Sequence, residues 1–284
     1  METIHSLKDI NFDTLFQAFN EAFQDYEMQL NKTELQTMLQ RRGFVPELSF
    51  AAFNNDKIVS FTFNGIDEHN DVKTAYDTGT GTIKEFRGQG LASKVFLHSI
   101  PVLKKAGVKQ YLLEVLQHNK TAVELYKRMG FKIVREFNYY VLDKDKIQIR
   151  TAELSSEFSM QTTTLEAIHQ ATSFLDFTPS WQNSLQAVQR KINDFLFLGT
   201  FHKNQLVGYC IFEPKSGDVT QIAVHKKYRQ LGIATNLLSE SIKNNQHHSI
   251  KIINTETDCI SMNKFLQHNN IPMLGKQFEM IKQL

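Results

Sequence analysis

The chain has 284 residues, about twice the ~150 residues of an average domain, so two domains are expected and a single small module is excluded. Hydrophobic residues make up 41% and charged residues 22%, which supplies enough apolar side chain for a core in each half and excludes a disordered chain. With 32 Lys and Arg against 30 Asp and Glu, a formal charge of +2 and only two cysteines, neither nucleic acid nor a membrane is an expected partner, and neither a disulfide scaffold nor a metal cluster is expected.

Residues 1–9 are polar, and no apolar run approaches the ~20 residues that span a bilayer, so a cytoplasmic setting is expected. Phe12, Leu15, Phe16, Phe19 and Phe23 recur at helical spacing, and a second helix is predicted over 33–42. Residues 48–53 and 57–64 read as a hairpin about Asn54-Asn55-Asp56, and 74–83 as a third strand. Within that strand Asp77-Thr78-Gly79-Thr80-Gly81-Thr82 has little to pack with, as at a bulge or where a ligand approaches the backbone. A helix over 94–106 follows, with Pro101 predicted to kink or restart it. Next come a strand over 110–115, a helix over 121–129 stopped by Gly130, and a strand over 132–142. The polar Asp143-Lys144-Asp145-Lys146 sets the expected boundary, giving domains 1–145 and 150–284. In the second half a helix is predicted over 181–195, strands over 195–201, 205–212 and 218–224, a helix over 235–244 and a strand over 250–254.

The halves share a motif. Phe86-Arg87-Gly88-Gln89-Gly90-Leu91-Ala92 recurs 142 positions later as Tyr228-Arg229-Gln230-Leu231-Gly232-Ile233-Ala234, each copy between a predicted strand and a predicted helix, which points to duplication. Such a turn exposes backbone N–H groups at the positive end of a helix and lets a phosphate approach; alone, it equally serves as a sharp corner. Neither the Rossmann nor the Walker glycine pattern is present.

Downstream of the first copy, Asn119, Ala122, Leu125-Tyr126 and Gly130-Phe131 follow the predicted strand at 110–115. With the turn, these residues make the first half resemble the GCN5-related N-acetyltransferase (GNAT) superfamily over nearly all of residues 1–145. Over 150–284 the resemblance persists at the turn and fades afterwards. It implies an α/β (α+β) chain of two tandem acyl-CoA N-acyltransferase domains. Each would have a mixed, mostly antiparallel sheet flanked by helices and splayed beside its third strand. It further implies acetyl-CoA as co-substrate without a metal, the pyrophosphate at Arg87, Gly88, Gln89, Gly90, Leu91 and Ala92, and the thioester arm along Gly81, Thr82 and Ile83. Asn119 and Tyr126 would face the thioester.

The chemistry asks for such groups. An amine attacking a thioester builds charge on the carbonyl oxygen and expels a thiolate, so the site needs N–H donors and a proton source, here Tyr126. Asn119 also reads as a helix cap and Tyr126 as a packed aromatic. The amine's proton needs an acceptor, for which Asp77, Glu21 and Asp25 are candidates. Phe19, Glu21, Phe23, Asp25 and Tyr26 are expected to wall the groove for a small-molecule or peptide amine.

In the second half, pairing Gly130-Phe131 with Asn270-Ile271 sets an offset of 140 that places Cys259 opposite Asn119 and Leu266 opposite Tyr126. That half is therefore expected to be catalytically degenerate, with a possible second cofactor site at Arg229, Gln230, Leu231, Gly232, Ile233 and Ala234. Cys259 reads as a buried thiol, with a replacement nucleophile as the alternative. The competing function for the whole chain is a non-catalytic acyl-CoA sensor or interaction module.

Overall fold

The computed structural model describes residues 2–26, 29–149, 151 and 153–284. In chain order the first elements are β1 (Thr3–Ser6), α1 (Phe12–Phe23), α2 (Lys32–Arg41), β2 (Phe50–Asn54), β3 (Lys57–His69), β4 (Val72–Thr82), α3 (Leu91–Lys105), β5 (Gln110–Leu116) and α4 (Lys120–Arg128). Then follow β6 (Lys132–Asp143), β7 (Phe158–Thr162), α5 (Leu165–Gln170), α6 (Leu185–Gln189), β8 (Leu196–His202), β9 (Gln205–Glu213), β10 (Asp218–Val224), α7 (Ile233–Lys243), β11 (Ser249–Glu256), α8 (Ile260–His268) and β12 (Met273–Gln283).

The chain divides into two compact units, Met1–Val134 with Phe278–Leu284, and Arg135–Gln277. In the first unit the hairpin turns are set by residues that tolerate the left-handed region, Asn55 at φ 54° and Asn70 and Asp71 at φ 51° and 60°. Strands β1 to β4 pair antiparallel. Helix α1 starts at Asn11, whose Oδ1 accepts from Thr14 N at 2.9 Å, and buries Leu15, Ala18, Phe19 and Ala22. Helix α2 starts on a reciprocal Asn31–Glu34 capping box. Both helices lie on a core that includes Phe50, Phe61 and Phe63 from the sheet. Each such ring contributes roughly 1.5–3 kcal/mol by leaving water.

The second unit repeats this plan with strand order β6-β11-β10-β9-β8-β7. Its core joins Leu237 and Leu238 of α7 to Cys210, Phe212, Ile250 and Tyr140.

The expected halves, 1–145 and 150–284, differ from these units at their last strands. Tyr140 of β6 packs in the second core, whereas Met280 of β12 is fully buried in a cluster with Phe96, Tyr111 and Phe131 of the first. Leu284 N also donates to Lys109 O at 2.9 Å. Sequence repetition reports covalent order, and a terminal strand is free to pair wherever an open edge receives it.

One expectation is revised and another is narrowed. The stretch predicted as a helix over 181–195 is only α6, five residues long, between single 3₁₀ turns. Trp181 is buried, and Ser184 Oγ donates to its carbonyl at 2.8 Å, so the apolar spacing there reflects irregular packing. Helix α3 runs through Pro101 without restarting. Pro101 and Leu97 lie on its exposed face, where proline's missing N–H leaves no buried polar group to satisfy. Among the described residues no helix is long and apolar enough to cross a membrane.

Candidate active site

The splay expected beside the third strand is present in both units. Strand β4 pairs with β5 in parallel only over Thr74–Tyr76, and β10 pairs with β11 only at Asp218. Just past that point β4 shifts register between the partners of Phe63 and Asn64, and the shift contains Thr78, whose Oγ1 donates to Phe63 O at 3.1 Å. This bulge re-aims Asp77.

Asp77 and Tyr126, 49 residues apart in sequence, meet here: the Tyr126 hydroxyl donates to Asp77 Oδ2 at 3.1 Å. Thr80 Oγ1 donates to the same oxygen at 2.8 Å, and Gly79 N to Oδ1 at 3.0 Å. Burial raises the Asp77 carboxyl above its ordinary range, only partly opposed by its three donors and the Arg42 charge. Burial, with the Asp77 charge second, likewise holds the Tyr126 hydroxyl well above its ordinary range, so it remains a proton donor. Phe131 meets the Tyr126 ring edge-on at 5.6 Å and fixes its orientation. Asn119 is the N-cap of α4, its Oδ1 accepting from Ala122 N at 3.1 Å, so the capping reading holds and the residue sits about two turns before Leu125-Tyr126.

The glycine turn fits an anion. Gly88 and Gly90 have φ of 78° and 73°, and a Cβ at either position would meet nothing within 4 Å, so the backbone is open above the start of α3. No side chain caps that helix, which leaves first-turn N–H groups available to a phosphate. Leu91 and Ile83 point into the core. Gly81 has a different reason: a Cβ there would lie 2.7 Å from the Phe61 ring and 2.9 Å from Ala22. Thr82 Oγ1 is 2.8 Å from Ser60 Oγ, and Gln89 Nε2 donates to Glu85 O at 3.3 Å.

The Arg87 side chain is engaged within the unit. Its guanidinium ties the end of β4 to the end of α1, donating to Thr82 O at 3.1 Å, Ala22 O at 2.9 Å and Asp25 Oδ2 at 3.2 Å. Arg229 repeats the clamp on Val224 O, Phe174 O and Asp176. The acidic wall expected for a cationic acceptor is also engaged, Glu21 with Lys57 at 2.6 Å and Asp25 with Lys84 and Arg87. Phe19 is buried, and Phe23 packs edge-on against the exposed Tyr26 at 5.0 Å.

In the second unit the corresponding turn holds Gln230 at φ 62° and Gly232 at φ 79°, again uncapped at the start of α7. It opens into a cavity of about 760 Å³ that also reaches Asn183, Gln221, Cys259 and Ser261. Helix α8 starts after Cys259, which makes no side-chain cap, and Leu266 is fully buried. The β10 shift falls between Val219 and Gln221, so Val219 stands where the first unit has Asp77.

The acetyltransferase (GNAT) family model matches residues 11–131, and a second acetyltransferase (GNAT) domain model matches residues 162–260. The chain belongs to the GNAT family. N-alpha-acetyltransferase 30 of Schizosaccharomyces pombe is 33% identical over 102 residues, which are 35% of this chain and 68% of that protein. N-alpha-acetyltransferase MAK3 of Arabidopsis thaliana is 30% identical over 106 residues, 37% of this chain and 56% of that protein. Two solved structures share the fold. A tandem GNAT protein from the clavulanic acid biosynthesis pathway has a TM-score of 0.76 at 10% identity, covering 100% of this chain and 98% of its own. A GCN5-related N-acetyltransferase from Sphaerobacter thermophilus has a TM-score of 0.73 at 13% identity, covering 99% and 95%.

This tandem GNAT N-acetyltransferase carries Asp77, the first turn, Asn119 and Tyr126 inside its first matched segment, while its second ends before Leu266. Sequence reasoning missed Thr80 and Arg42 as neighbours of Asp77, and Asp176 as the partner of Arg229. The clamps did leave a signal, since each half has an acidic residue near a helix end upstream of its turn arginine, Asp25 and Asp176.

Proposed function

We propose that the first unit moves an acetyl group from acetyl-CoA to a primary amine by direct attack on the thioester, and that the second unit is silent in that reaction. The observation that carries this reading is the Tyr126–Asp77 hydrogen bond beside the splay, with an open, uncapped glycine turn in the same unit. Acetyl-CoA supplies the activated acyl carbon. Backbone N–H groups at Gly88, Gly90 and the first turn of α3 hold its phosphates. Asp77, with its carboxyl pushed up by burial, takes the proton lost by the attacking amine, and Tyr126 gives its hydroxyl proton to the departing sulfur. The 3.1 Å contact then returns a proton from Asp77 to Tyr126, so both groups end as they began.

The relatives aligned with the first unit are named N-alpha-acetyltransferases, which favours an α-amino group of a peptide among small-molecule and peptide acceptors. The free, buried thiols Cys210 and Cys259 fit a reducing, cytoplasmic setting. The second unit keeps a turn able to hold a CoA phosphate but has Val219, Cys259 and Leu266 where the first has Asp77, Asn119 and Tyr126. The test is a screen of the intact protein with acetyl-CoA against peptide N-termini, polyamines, aminoglycosides and amino acids, with the two turns disabled separately. Gly90→Glu is expected to abolish transfer and Gly232→Glu to retain it. The reverse result assigns the reaction to the second unit, and tight CoA binding without turnover on any acceptor supports the sensor reading.

A further inference from the structure

The second unit's cavity has lost the groups for amine acetylation yet contains features that reading leaves unused. Its turn holds the same backbone hand as the first, and α7 behind it is eleven residues long with no side-chain cap, so its N–H groups suit a phosphate. Deeper in the cavity, Asn183 is 4% exposed, and its Nδ2 donates to Ile253 O at 2.9 Å. Its Oδ1 is buried with no hydrogen-bond partner among the described residues. A fixed acceptor left unmade costs about 1–3 kcal/mol, and a ligand carrying an amide N–H, as the pantetheine arm of CoA does, would satisfy it.

Cys259 is a cysteine that lines this cavity. It occupies the N-cap position that Asn119 holds in the first unit, does not cap α8, and lines the cavity wall. Its Sγ lies 3.4 Å from Ser261 Oγ, and Ser261 Oγ donates to Asp176 Oδ2 at 2.6 Å. Asp176 is held ionised: despite burial, hydrogen bonds from Arg229 and Ser261 and the Arg229 charge lower its carboxyl pKa. Because the Ser261 proton is committed to Asp176, the Ser261 oxygen presents a lone pair to the Cys259 thiol. The first-turn N–H groups of α8 face charge that develops on sulfur at that position.

We propose that Cys259 takes an acyl group from a CoA thioester held in the second unit's cavity, forming an S-acyl-cysteine by thioester exchange. In this step the Cys259 Sγ–acyl carbon bond forms, the bond from acyl carbon to the CoA sulfur breaks, and the Cys259 proton ends on the CoA thiol. One thioester replaces another, so no oxidant or reductant is needed. The proposal rests on reading the Gly232 turn as a phosphate cradle and is independent of whether the first unit acetylates amines.

The intact protein is incubated with acetyl-CoA and followed by intact-mass and peptide mass spectrometry. The expected result is an acetyl adduct on Cys259 that neutral hydroxylamine removes. It should be absent in Cys259→Ala and lowered by roughly tenfold or more in Gly232→Glu. Gly90→Glu should retain it, because that change disables only the other turn, and Ser261→Ala should form it more slowly. Cys210, fully buried with its thiol pushed up to about 12, should remain unmodified and acts as the internal control. An unmodified Cys259 in a Gly90→Glu protein that calorimetry shows still binds CoA overturns the exchange step. No CoA binding by Gly90→Glu overturns the cradle reading instead, and equal labelling in folded Gly232→Glu protein overturns the requirement for the site.

Discussion

In the proposed reaction Tyr126 and Asp77 divide the proton work, and each role is tested by removing one atom's chemistry. Tyr126→Phe keeps the ring against Phe131 but loses the hydroxyl, so turnover is expected to fall by roughly 10 to 10³-fold while acetyl-CoA affinity, measured by calorimetry, is nearly unchanged. For Asp77 the sign follows from burial. Its folded carboxyl titrates above its unfolded value, so the protonated form suits the fold, and stability is lost as pH rises from the ordinary carboxylate range through the folded pKa. In the proposed reaction activity is expected to run the opposite way, appearing as Asp77 ionises. Asp77→Asn is therefore expected to lower transfer by roughly 10² to 10⁴-fold and to remove the acidic limb from the residual kcat/KM profile, without lowering the melting temperature at neutral pH. A retained acidic limb in that variant assigns the base elsewhere. Neither role was legible as a pair in the sequence, because the contact depends on a bulge in β4 and a helix 49 residues away.

The two glycine turns show what was legible at the scale of elements. Their repeated strand–turn–helix context gave the duplication and the uncapped starts of α3 and α7, since left-handed backbone and glycine go together. The arginine clamps, in contrast, depend on carbonyls at the ends of α1 and β4, which no spacing reveals. Strands β1, β7 and β12 went unpredicted because edge and terminal strands such as β7, with its mostly half-buried or exposed pattern, lack a clean apolar alternation. The turns also differ in a measurable way. Gln230 adopts the left-handed conformation that Gly88 supplies in the first unit, and a side chain there costs about 1–2 kcal/mol, part of which glycine returns as unfolded-chain entropy. Gln230→Gly is expected to stabilise the second unit by roughly 0.5 kcal/mol, and Gly88→Ala to destabilise the first by about 1 kcal/mol. Urea denaturation midpoints check both.

At the scale of the whole molecule, each unit is completed by a strand that the repeat alone would not assign to it. The first unit's helix α4 depends on residues of β12: Lys282 Nζ donates to Met129 O at 2.7 Å, at the end of α4, and Met280 is buried beside Phe131, which orients Tyr126. Truncating Met280 leaves a cavity that costs about 2–5 kcal/mol, borne by the first core although 280 is remote in sequence from 126. Met280→Ala is therefore expected to lower the midpoint of the first unit's unfolding and to accelerate amide exchange in β5 and α4, with β8 to β10 of the second unit unchanged. A chain ending at Gln277 should go further and lose acetyl transfer while the second unit keeps its exchange protection. If hydrogen exchange instead shows the Met280→Ala loss confined to residues 135–277, the last strand belongs to the second unit, and the contiguous halves read from the repeat describe the folded units after all.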